Sequence, residues 1–561
     1  MKMSTDWLQP YEALYREDFA SYDELCDSFE WKFPDTFNAA EYLCDRWSND
    51  EERVALIYED RTTSTKGEIT FRQLRQTTNQ LANYLEDQGV GLGDRIAVNT
   101  AQKIETVVAH LGIWKTGAVS VPLSVLYGPD AIEYRLSDSA AVLGIVDDAN
   151  VETYRRVTES NDSIRGTLVV GEAELEGDEA RFWEAVADYS TEYDPVKIDP
   201  EETMLILYSS GTTGPPKGIV QPHRCVIGHL PGAITHVYNC EIADDDIIWI
   251  PSEWAWGASI SNMFSALFFG RPILAYETGE GFDAKEAFRA IEEYRVTILW
   301  TVPSALRMMR RVDDPASRFD LESVRIVGSG GESLAASVQN WAAKTFDANV
   351  HEVYGLSEAF NFIIGDCTAY NKTRPGWFGY ELPGHEVAIL DSASHEELAV
   401  NEEGEIAIRR DDPTLFKEYL NQPKKTADAF SDGWFLTGDI AMQNEEDLFT
   451  FCGRKDDLII SSGYRIGPEE IEESLMSHDA IAEAGVIGVP DEERGEIPKA
   501  FIVLNEGYEP TDQLKSKIQS YVKENLALYE YPRQIEFTDD LPRTTSGKVK
   551  RPVLRSWDGT A

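Results

Sequence analysis

The sequence has no long hydrophobic run. Its longest apolar stretch, Ile260 to Phe269, ends at a Gly-Arg-Pro turn, whereas a membrane-spanning helix needs about 20 apolar residues. Residues 1–17 mix charges with aromatics and lack the basic and then apolar order of an export signal. We therefore expect no membrane insertion and a cytoplasmic protein.

Cysteine is scarce, with six in 561 residues and no close pair. This favours a reducing compartment over a disulfide framework. One spacing, from Cys225 through His229 and His236 to Cys240, supplies the four nitrogen and sulfur ligands that a zinc site requires. Residues at i, i+4 also share a face on any helix, and we favour that interpretation over the metal.

Basic residues are also few: 51 Lys and Arg stand against 99 Asp and Glu, for a net charge of −48. Nucleic acid is therefore not an expected partner, because phosphate backbones require a basic face. The acids are spread along the chain, which favours a halophilic surface over a docking face for a basic partner. At 1 M salt, charge repulsion is screened over roughly 3 Å.

Short β-rich runs alternate with helical patterns from about residue 38 to 451. The clearest runs are Met204 to Tyr208, Thr297 to Trp300, Val324 to Val327 and Val350 to Tyr354. Each leads through Gly, Ser or Pro toward a helical stretch, which is typical of parallel α/β layers. Ligands in such folds bind beyond the carboxyl ends of the strands.

The pattern changes near the charged run 454–457. A short strand, a helix beginning at Pro468 and further short elements follow, and proline with acidic residues suits a helix start. We predict an α/β protein with a large N-terminal domain of layered structure (residues 1–453), a hinge (454–456) and a small α+β domain (457–561).

The strongest local signal is the segment YSSGTTGPPKG at 208–218. Its glycines, four Ser and Thr hydroxyls and Lys217 suit the binding of several phosphate oxygens. It is not a Walker loop, because Pro-Lys-Gly replaces the required Gly-Lys-[Ser/Thr]. A flexible surface loop is the alternative, and the concentration of these residue types argues against it.

This segment resembles the phosphate-binding loop of the adenylate-forming superfamily, which includes acyl-CoA synthetases, peptide-synthetase adenylation domains and luciferases. Further segments resemble the family's motifs in order: Gly330 to Glu332, Tyr354 to Glu358, Trp434 to Asp439, Gly453 to Asp457 and Pro542 to Lys548. The resemblance covers nearly the whole chain and implies a large adenylate-forming domain with a small mobile domain after it.

The resemblance implies a set of ATP- and AMP-binding residues. They are Ser209, Ser210, Gly211, Thr212, Thr213, Gly214, Lys217, Gly330, Gly331, Glu332, Tyr354, Gly355, Ser357, Glu358, Asp439, Arg454 and Lys548. Tyr354 would stack on adenine, while Asp439 and Arg454 would bind the ribose. Thr213 and Glu358 would hold Mg²⁺, a hard cation that prefers oxygen ligands.

The residues with catalytic roles would be Lys548, Glu358, Thr213 and Lys217. Attack of a carboxylate on the α-phosphorus builds negative charge, which a preorganised cation stabilises. Lys548 lies in the segment 543–551, which has four basic residues and no acid. This local reversal of charge favours an anion site over an exposed tail.

The superfamily is understood to rotate its small domain between two half-reactions. Asp456 matches the pivot residue of the hinge. After rotation, Ser462, Gly463, Tyr464 and Arg465 would line the coenzyme A channel, with glycine allowing close backbone approach.

The acyl pocket would be lined by Trp254, Trp256, Gly257, Gly330, Gly355 and Ala359. Acetate-restricted relatives have tryptophan after the tyrosine, where this chain has Gly355, so we expect an acid larger than acetate. Core packing is the alternative for the two tryptophans, and we favour the pocket. The whole pattern most resembles medium-chain acyl-CoA synthetases, although Trp377-Phe378 departs from the Ser-Met common there and leaves the chain length open.

The sequence thus predicts an AMP-forming acid–CoA ligase that uses ATP, Mg²⁺, coenzyme A and a small carboxylic acid. Transfer of the acyl group to a separate carrier protein remains an alternative. A plain ATPase or nucleotide sensor is disfavoured because Lys548 and Glu358 are both present. The oligomeric state is left open, a homo-oligomer included.

Overall fold

The computed structural model describes residues 5–158, 161, 163–209, 216–279, 281–360, 362–461, 464–491, 494–526, 531–544 and 548–558. Its strands are β1 (Val54–Asp60), β2 (Thr65–Thr70), β3 (Arg95–Asn99), β4 (Val119–Pro122), β5 (Leu143–Asp147), β6 (Thr167–Val170), β7 (Glu179–Arg181), β8 (Thr203–Ser209), β9 (Lys217–Pro222), β10 (Ile248–Trp249), β11 (Ile273–Glu277), β12 (Ile298–Thr301), β13 (Ile326–Gly330), β14 (Asn349–Tyr354), β15 (Ile364–Gly365), β16 (Tyr380–Glu381), β17 (Val387–Leu390), β18 (Glu403–Arg409), β19 (Glu418–Tyr419), β20 (Phe430–Ser431), β21 (Trp434–Gln443), β22 (Phe449–Arg454), β23 (Ile459–Ser461), β24 (Tyr464–Ile466), β25 (Ile481–Asp491), β26 (Gly495–Leu504) and β27 (Gln534–Phe537).

The helices are α1 (Gln9–Arg16), α2 (Tyr22–Ser28), α3 (Ala39–Leu43), α4 (Phe71–Asp87), α5 (Ile104–Lys115), α6 (Pro129–Ser139), α7 (Val151–Thr158), α8 (Phe182–Ala187), α9 (Arg224–Gly232), α10 (Gly257–Phe268), α11 (Ala284–Tyr294), α12 (Pro303–Arg310), α13 (Pro315–Arg318), α14 (Ala336–Phe346), α15 (Pro423–Asp428), α16 (Pro468–Met476), α17 (Asp512–Asn525) and α18 (Arg551–Asp558). None of these described helices is both long and apolar enough to cross a membrane.

Two large sheets form the layers of the N-terminal part. In the described residues, one has the order β16-β15-β14-β13-β12-β10-β11-β1-β2 and the other β19-β9-β8-β4-β3-β5-β6-β7. Their central strands pair in parallel, and β4 and β5 are buried along their whole length. Helices cover such strands on both faces, which explains their continuous apolar sequence. A third sheet (β17, β18, β20, β21 and β22) is antiparallel.

The C-terminal part has its own sheet, β24-β23-β26-β25 with β27 paired to β26, and its own apolar core. Helix α18 is attached near the start of this part by ion pairs. Arg551 lies 3.3 Å from Asp457, 2.8 Å from Glu469 and 2.9 Å from Glu472, and Arg555 lies 2.8 Å from Asp457. The predicted fold class, a large α/β domain followed by a small α+β domain, is confirmed.

The Cys225–Cys240 spacing does not converge on one point. His229 Nε2 lies 2.8 Å from Ser265 Oγ, while Cys240 Sγ lies 3.6 Å from Cys367 Sγ. His236 falls in a π-helical turn (Ala233–Val237) that follows the proline inside α9, so the helical i, i+4 spacing is interrupted. Among the described residues, no three His, Cys, Asp or Glu side chains are placed to hold a metal ion.

Candidate active site

A cavity of about 1950 Å³ lies between the two parts of the chain. Its walls include the carboxyl ends of β8, β13 and β14 and the first residues of α16 and α18. Open α/β sheets bind ligands at this end of their strands. The cavity is therefore the candidate site.

Two glycines at the end of β13 let a ligand approach the backbone. A Cβ atom at Gly330 would lie 2.8 Å from the Val353 carbonyl oxygen, so no larger side chain fits there without movement. Gly331 has φ +85°, a conformation that glycine adopts without steric cost. Glu332 follows at the cavity wall and forms a 2.9 Å ion pair with Arg307.

Tyr354, Asp439 and Arg454 form a hydrogen-bonded and ion-paired group. The Tyr354 hydroxyl donates to Asp439 Oδ2 at 2.8 Å, and Arg454 Nη1 lies 2.8 Å from Asp439 Oδ1. Burial raises the pKa of Asp439, and the charge of Arg454 opposes that rise. The two partners fix the carboxylate at the cavity, where its oxygens can accept from ligand hydroxyls.

Glu358 is held by a residue outside the predicted set. The Tyr419 hydroxyl donates to Glu358 Oε1 at 2.9 Å, and Lys217 Nζ lies 4.8 Å from the centre of the Tyr419 ring. Both Lys217 and Glu358 line the cavity. Carboxylate oxygens suit a hard divalent cation, so the donor chemistry of Glu358 fits Mg²⁺.

Lys548 reaches the cavity from the C-terminal part of the chain. The residue keeps solvent-exposed surface. The surrounding protein nevertheless lowers the pKa of Lys548, and the carboxylates of Glu332 and Asp439 oppose this effect. The backbone is fixed by Lys548 N–H donating to Thr544 Oγ1 at 3.0 Å.

The predicted hinge lies at the cavity edge. Glu405 connects Lys455 of the hinge to strand β21. Its carboxylate accepts from Gly438 N at 2.9 Å and lies 2.8 Å from Lys455 Nζ. Lys455 N–H also donates to the Gly438 carbonyl at 2.9 Å. Asp456 lines the cavity and is exposed.

Two buried acids lie close to Tyr354: Glu352 is on the same strand, β14, and Asp366 directly follows β15. Glu352 Oε1 accepts from Leu334 N at 3.0 Å, and Asp366 Oδ2 accepts from Glu352 N at 2.9 Å. Burial raises the pKa of Glu352 to about 8 and that of Asp366 to about 7. The nearby charge of Asp366 adds to the rise for Glu352.

The predicted acyl-pocket residues are only partly brought together. Those that line the cavity are Trp256, Gly257, Gly330 and Gly355. Trp254 and Ala359 are instead buried in the N-terminal apolar core. Trp300 and Phe362, which are outside the predicted set, line the cavity with their ring centres 6.2 Å apart.

Several predicted residues lie outside the described part of the chain: Ser210, Gly211, Thr212, Thr213, Gly214, Ser462 and Gly463. The flanking residues are described: Ser209 ends β8, Lys217 begins β9, and the two are paired in antiparallel register. Ser209 and Ser357 line the cavity. Tyr464 and Arg465 belong to β24.

Sequence reasoning missed Tyr419, Glu405 and Trp300. Tyr419 and Glu405 contact groups that are distant from them in sequence, and neither stands in one of the family's motifs. Trp300 ends in the cavity because it lies on β12 beside β13. Its place at the end of a predicted strand was the only available signal.

The chain matches two family models. The model described as AMP-binding enzyme matches residues 44–420, and the model of the AMP-binding enzyme C-terminal domain matches residues 470–548. Acetyl-coenzyme A synthetase of Bacillus subtilis (strain 168) is 34% identical over 559 residues, covering 98% of this chain and 95% of that protein. Mouse mitochondrial acyl-coenzyme A synthetase ACSM3 is 32% identical over 558 residues, covering 97% and 94%.

Solved structures of CoA ligases have a similar fold. An anthranilate CoA ligase, AuaEII, in complex with anthranoyl-AMP superimposes with a TM-score of 0.86 at 26% identity, over 94% of this chain and 98% of that one. A Brucella canis acyl-CoA synthetase gives a TM-score of 0.73 at 33% identity, over 96% and 99%. With both family models matched in order and full-length relatives above 30% identity, this chain belongs to the AMP-binding enzyme family.

Proposed function

We propose that this protein is an AMP-forming acid–CoA ligase. It activates a carboxylic acid with ATP, releases pyrophosphate and transfers the acyl group to coenzyme A. The observation that carries the proposal is the convergence of Glu358, Asp439, Arg454 and Lys548 on one cavity from both parts of the chain. The full-length relatives, named as acetyl- and acyl-CoA synthetases, support the same reaction.

In the first half-reaction, an oxygen of the substrate carboxylate attacks the α-phosphorus of ATP. The bond from that phosphorus to the bridging oxygen breaks, and pyrophosphate leaves with its electron pair. Lys548 is assigned to stabilise the charge that develops at this centre, which is most effective when the cation is already in place. Its exposed position in the cavity supports this role.

Asp439 and Arg454 are assigned to the ribose, and Tyr354 to the adenine. The 2.8 Å contacts among these three groups support a nucleotide site that is ordered before ATP arrives. Preorganisation of this kind reduces the entropy cost of orienting the reactants. Mg²⁺, when bound by Glu358 together with Thr213, would neutralise phosphate charge.

In the second half-reaction, the thiol sulfur of coenzyme A attacks the acyl carbonyl carbon. The carbon–oxygen bond to AMP breaks, AMP leaves, and the thiol proton passes to solvent. We assign Ser462, Gly463, Tyr464 and Arg465 to the coenzyme A channel and Asp456 to the pivot between the two steps. The first residues of the proposed small domain line the same cavity as Lys548, which supports this division of roles.

The acid is proposed to be larger than acetate and of medium length. Gly355 follows Tyr354 on the cavity wall, where a bulkier residue would take up space, which supports that size. The six free thiols support a reducing, cytoplasmic location, and the charge of −48 supports function at high salt.

The direct test is acid-dependent ATP–pyrophosphate exchange with C2 to C12 and aromatic acids in molar KCl, followed by thioester formation with CoA. Exchange with a medium-chain acid and a CoA-dependent thioester would support the proposal. Exchange without a CoA thioester would point to a carrier-protein acceptor. ATP hydrolysis that needs no acid would favour a plain ATPase, and no pyrophosphate release with any acid would refute the ligase.

A further inference from the structure

Two cysteines that are far apart in the sequence meet in the N-terminal part of the chain. Cys240 Sγ lies 3.6 Å from Cys367 Sγ, although the two residues are 127 positions apart. Both are free thiols, and Cys367 is buried whereas Cys240 is partly exposed. A disulfide bond needs a sulfur–sulfur distance of about 2.05 Å, so the two atoms would have to approach by only about 1.5 Å.

The backbone at Cys240 adopts an uncommon conformation. Asn239 and Cys240 have φ +54° and +61° in succession, in the left-handed region that residues other than glycine rarely occupy. Strained backbone of this kind persists only where the surrounding structure holds it. Here Asn239 Oδ1 accepts from Ala369 N at 2.7 Å and from Thr368 Oγ1 at 3.1 Å. The segments that carry the two cysteines are therefore kept side by side by contacts other than those of sulfur.

The two thiols differ in their surroundings. A hydrogen bond with Cys240, and after it burial, raises the pKa of Cys367. Because the thiolate and not the thiol is the nucleophile, Cys367 does not react first. Glu241 and Ala369, which follow the two segments, are exposed. The partly exposed Cys240 is therefore the sulfur that a small oxidant from solvent meets first.

The segment that ends in Cys367 supports the candidate active site. Strand β15 ends two residues before Cys367 and pairs with the end of β14 that carries Tyr354. Space around β15 is limited: a Cβ atom at Gly365 would lie 3.2 Å from Nδ1 of His236, in the turn that precedes Cys240. Closely packed interiors transmit strain. Drawing Cys367 toward Cys240 should therefore displace β15 and, with it, the end of β14.

We propose that Cys240 and Cys367 form a reversible disulfide when the protein meets a peroxide, and that this bond slows activation of the acid. The effect on the rate rests on the proposed ligase function, whereas formation of the bond does not. In a reducing compartment the pair is at rest as two thiols, and disulfides that do form there are usually transient and redox-sensing.

The oxidation is balanced by one molecule of hydrogen peroxide. The Cys240 thiolate attacks one peroxide oxygen, the oxygen–oxygen bond breaks, and hydroxide leaves and takes up the Cys240 proton as water, so that Cys240 becomes a sulfenic acid. The Cys367 sulfur then attacks the Cys240 sulfur. The sulfur–oxygen bond breaks, and hydroxide leaves with the Cys367 proton as a second water. A dithiol restores both thiols by exchange and is itself oxidised to a disulfide.

Peptide mapping tests whether the bond forms. After brief treatment with hydrogen peroxide, the wild type should lose two of its six free thiols and yield one cross-linked peptide that contains Cys240 and Cys367. Cys26→Ser is the matched control, because Cys26 is another partly exposed cysteine, and it should yield the same peptide. Cys240→Ser and Cys240→Ala should not. Unlinked cysteines, or cysteines oxidised only to sulfinic or sulfonic acid, would overturn the proposal.

Acid-dependent ATP–pyrophosphate exchange tests the effect on the site. Peroxide should slow exchange by the wild type and Cys26→Ser at least about tenfold, because a displacement of about 1 Å can cost about a hundredfold in rate, and dithiothreitol should restore it. Cys240→Ser should match the untreated wild type before and after peroxide. A cross-linked protein with the full rate, or equal inhibition of the wild type and Cys240→Ser, would overturn the proposal. No exchange by the untreated wild type would instead refute the ligase, and the cross-linked peptide would still decide whether the bond forms.

Discussion

Trp300 is expected to set the length of the acid. Its ring lies over β13: a Cβ atom at Gly328 would fall 2.4 Å from Trp300 Cδ1, and one at Gly330 would fall 3.4 Å from Cζ2. The side chain is only 2% exposed yet forms part of the cavity wall beside Phe362. With the acyl group placed beside Gly330, as proposed, Trp300 would block the extension of a longer acyl chain.

Replacing Trp300 by leucine should shift preference toward longer acids. Each buried methylene contributes about 0.8 kcal/mol, and 1.36 kcal/mol is tenfold in rate. Each methylene accommodated in the variant should then raise kcat/KM about fourfold relative to the wild type, and three should raise it about sixtyfold. Leucine is chosen because tryptophan to alanine in a core costs about 3–5 kcal/mol of stability.

The assay is acid-dependent ATP–pyrophosphate exchange across C2 to C12 acids, compared as ratios of kcat/KM within each protein. Trp341→Leu is the control, because Trp341 is a partly buried tryptophan on α14 that does not line the cavity. It should leave the profile unchanged. A folded Trp300→Leu protein with the wild-type profile would show that the acyl chain does not reach Trp300.

Four further predictions concern the site, stability and salt. Lys548→Ala should slow adenylate formation about ten- to hundred-fold, because one charged contact is lost. It should spare thioester formation from supplied acyl-adenylate. Equal loss of both steps would contradict the role of Lys548. The pKa of Lys548 is lowered, so ATP–pyrophosphate exchange by the wild type should decline with rising pH before the ordinary lysine pKa of about 10.4 is reached. A rate that stays constant up to that pH would count against a role for the Lys548 charge. Glu352→Gln should raise the melting temperature more at pH 9 than at pH 5. Because the pKa of Glu352 is raised to about 8, the wild type loses stability as the pH rises from about 4.5 to 8. Equal gains at both pH values would disprove this role of Glu352. Activity should increase toward molar KCl, and a maximum in dilute buffer would refute a halophilic surface.

The sequence was most informative where chemistry is concentrated in short segments. The predicted runs 297–300 and 350–354 correspond to β12 and β14, within one residue at each end. The family motifs also predicted that Asp439, Arg454 and Lys548 would meet, although over a hundred residues separate Asp439 from Lys548.

Sequence reasoning could not predict contacts that depend on packing between distant elements. Tyr419 reaches Glu358 because β19 pairs with β9, a register that no local pattern reveals. Trp254 and Trp256 are two residues apart, yet one is buried in the core and the other lines the cavity. Such differences follow from how the chain turns into α10, which composition alone does not specify.

The ion pairs of α18 have a consequence for how Lys548 can move. The segment before it is held by the ion pair between Arg543 and Glu483, and the helix after it is bound to Asp457 through Arg551 and Arg555. Lys548 is thus fixed on both sides to the unit that begins next to Asp456. If this lysine leaves the cavity between the two proposed steps, its backbone can do so only together with that unit, so we expect the change of pose to be a rigid-body transition.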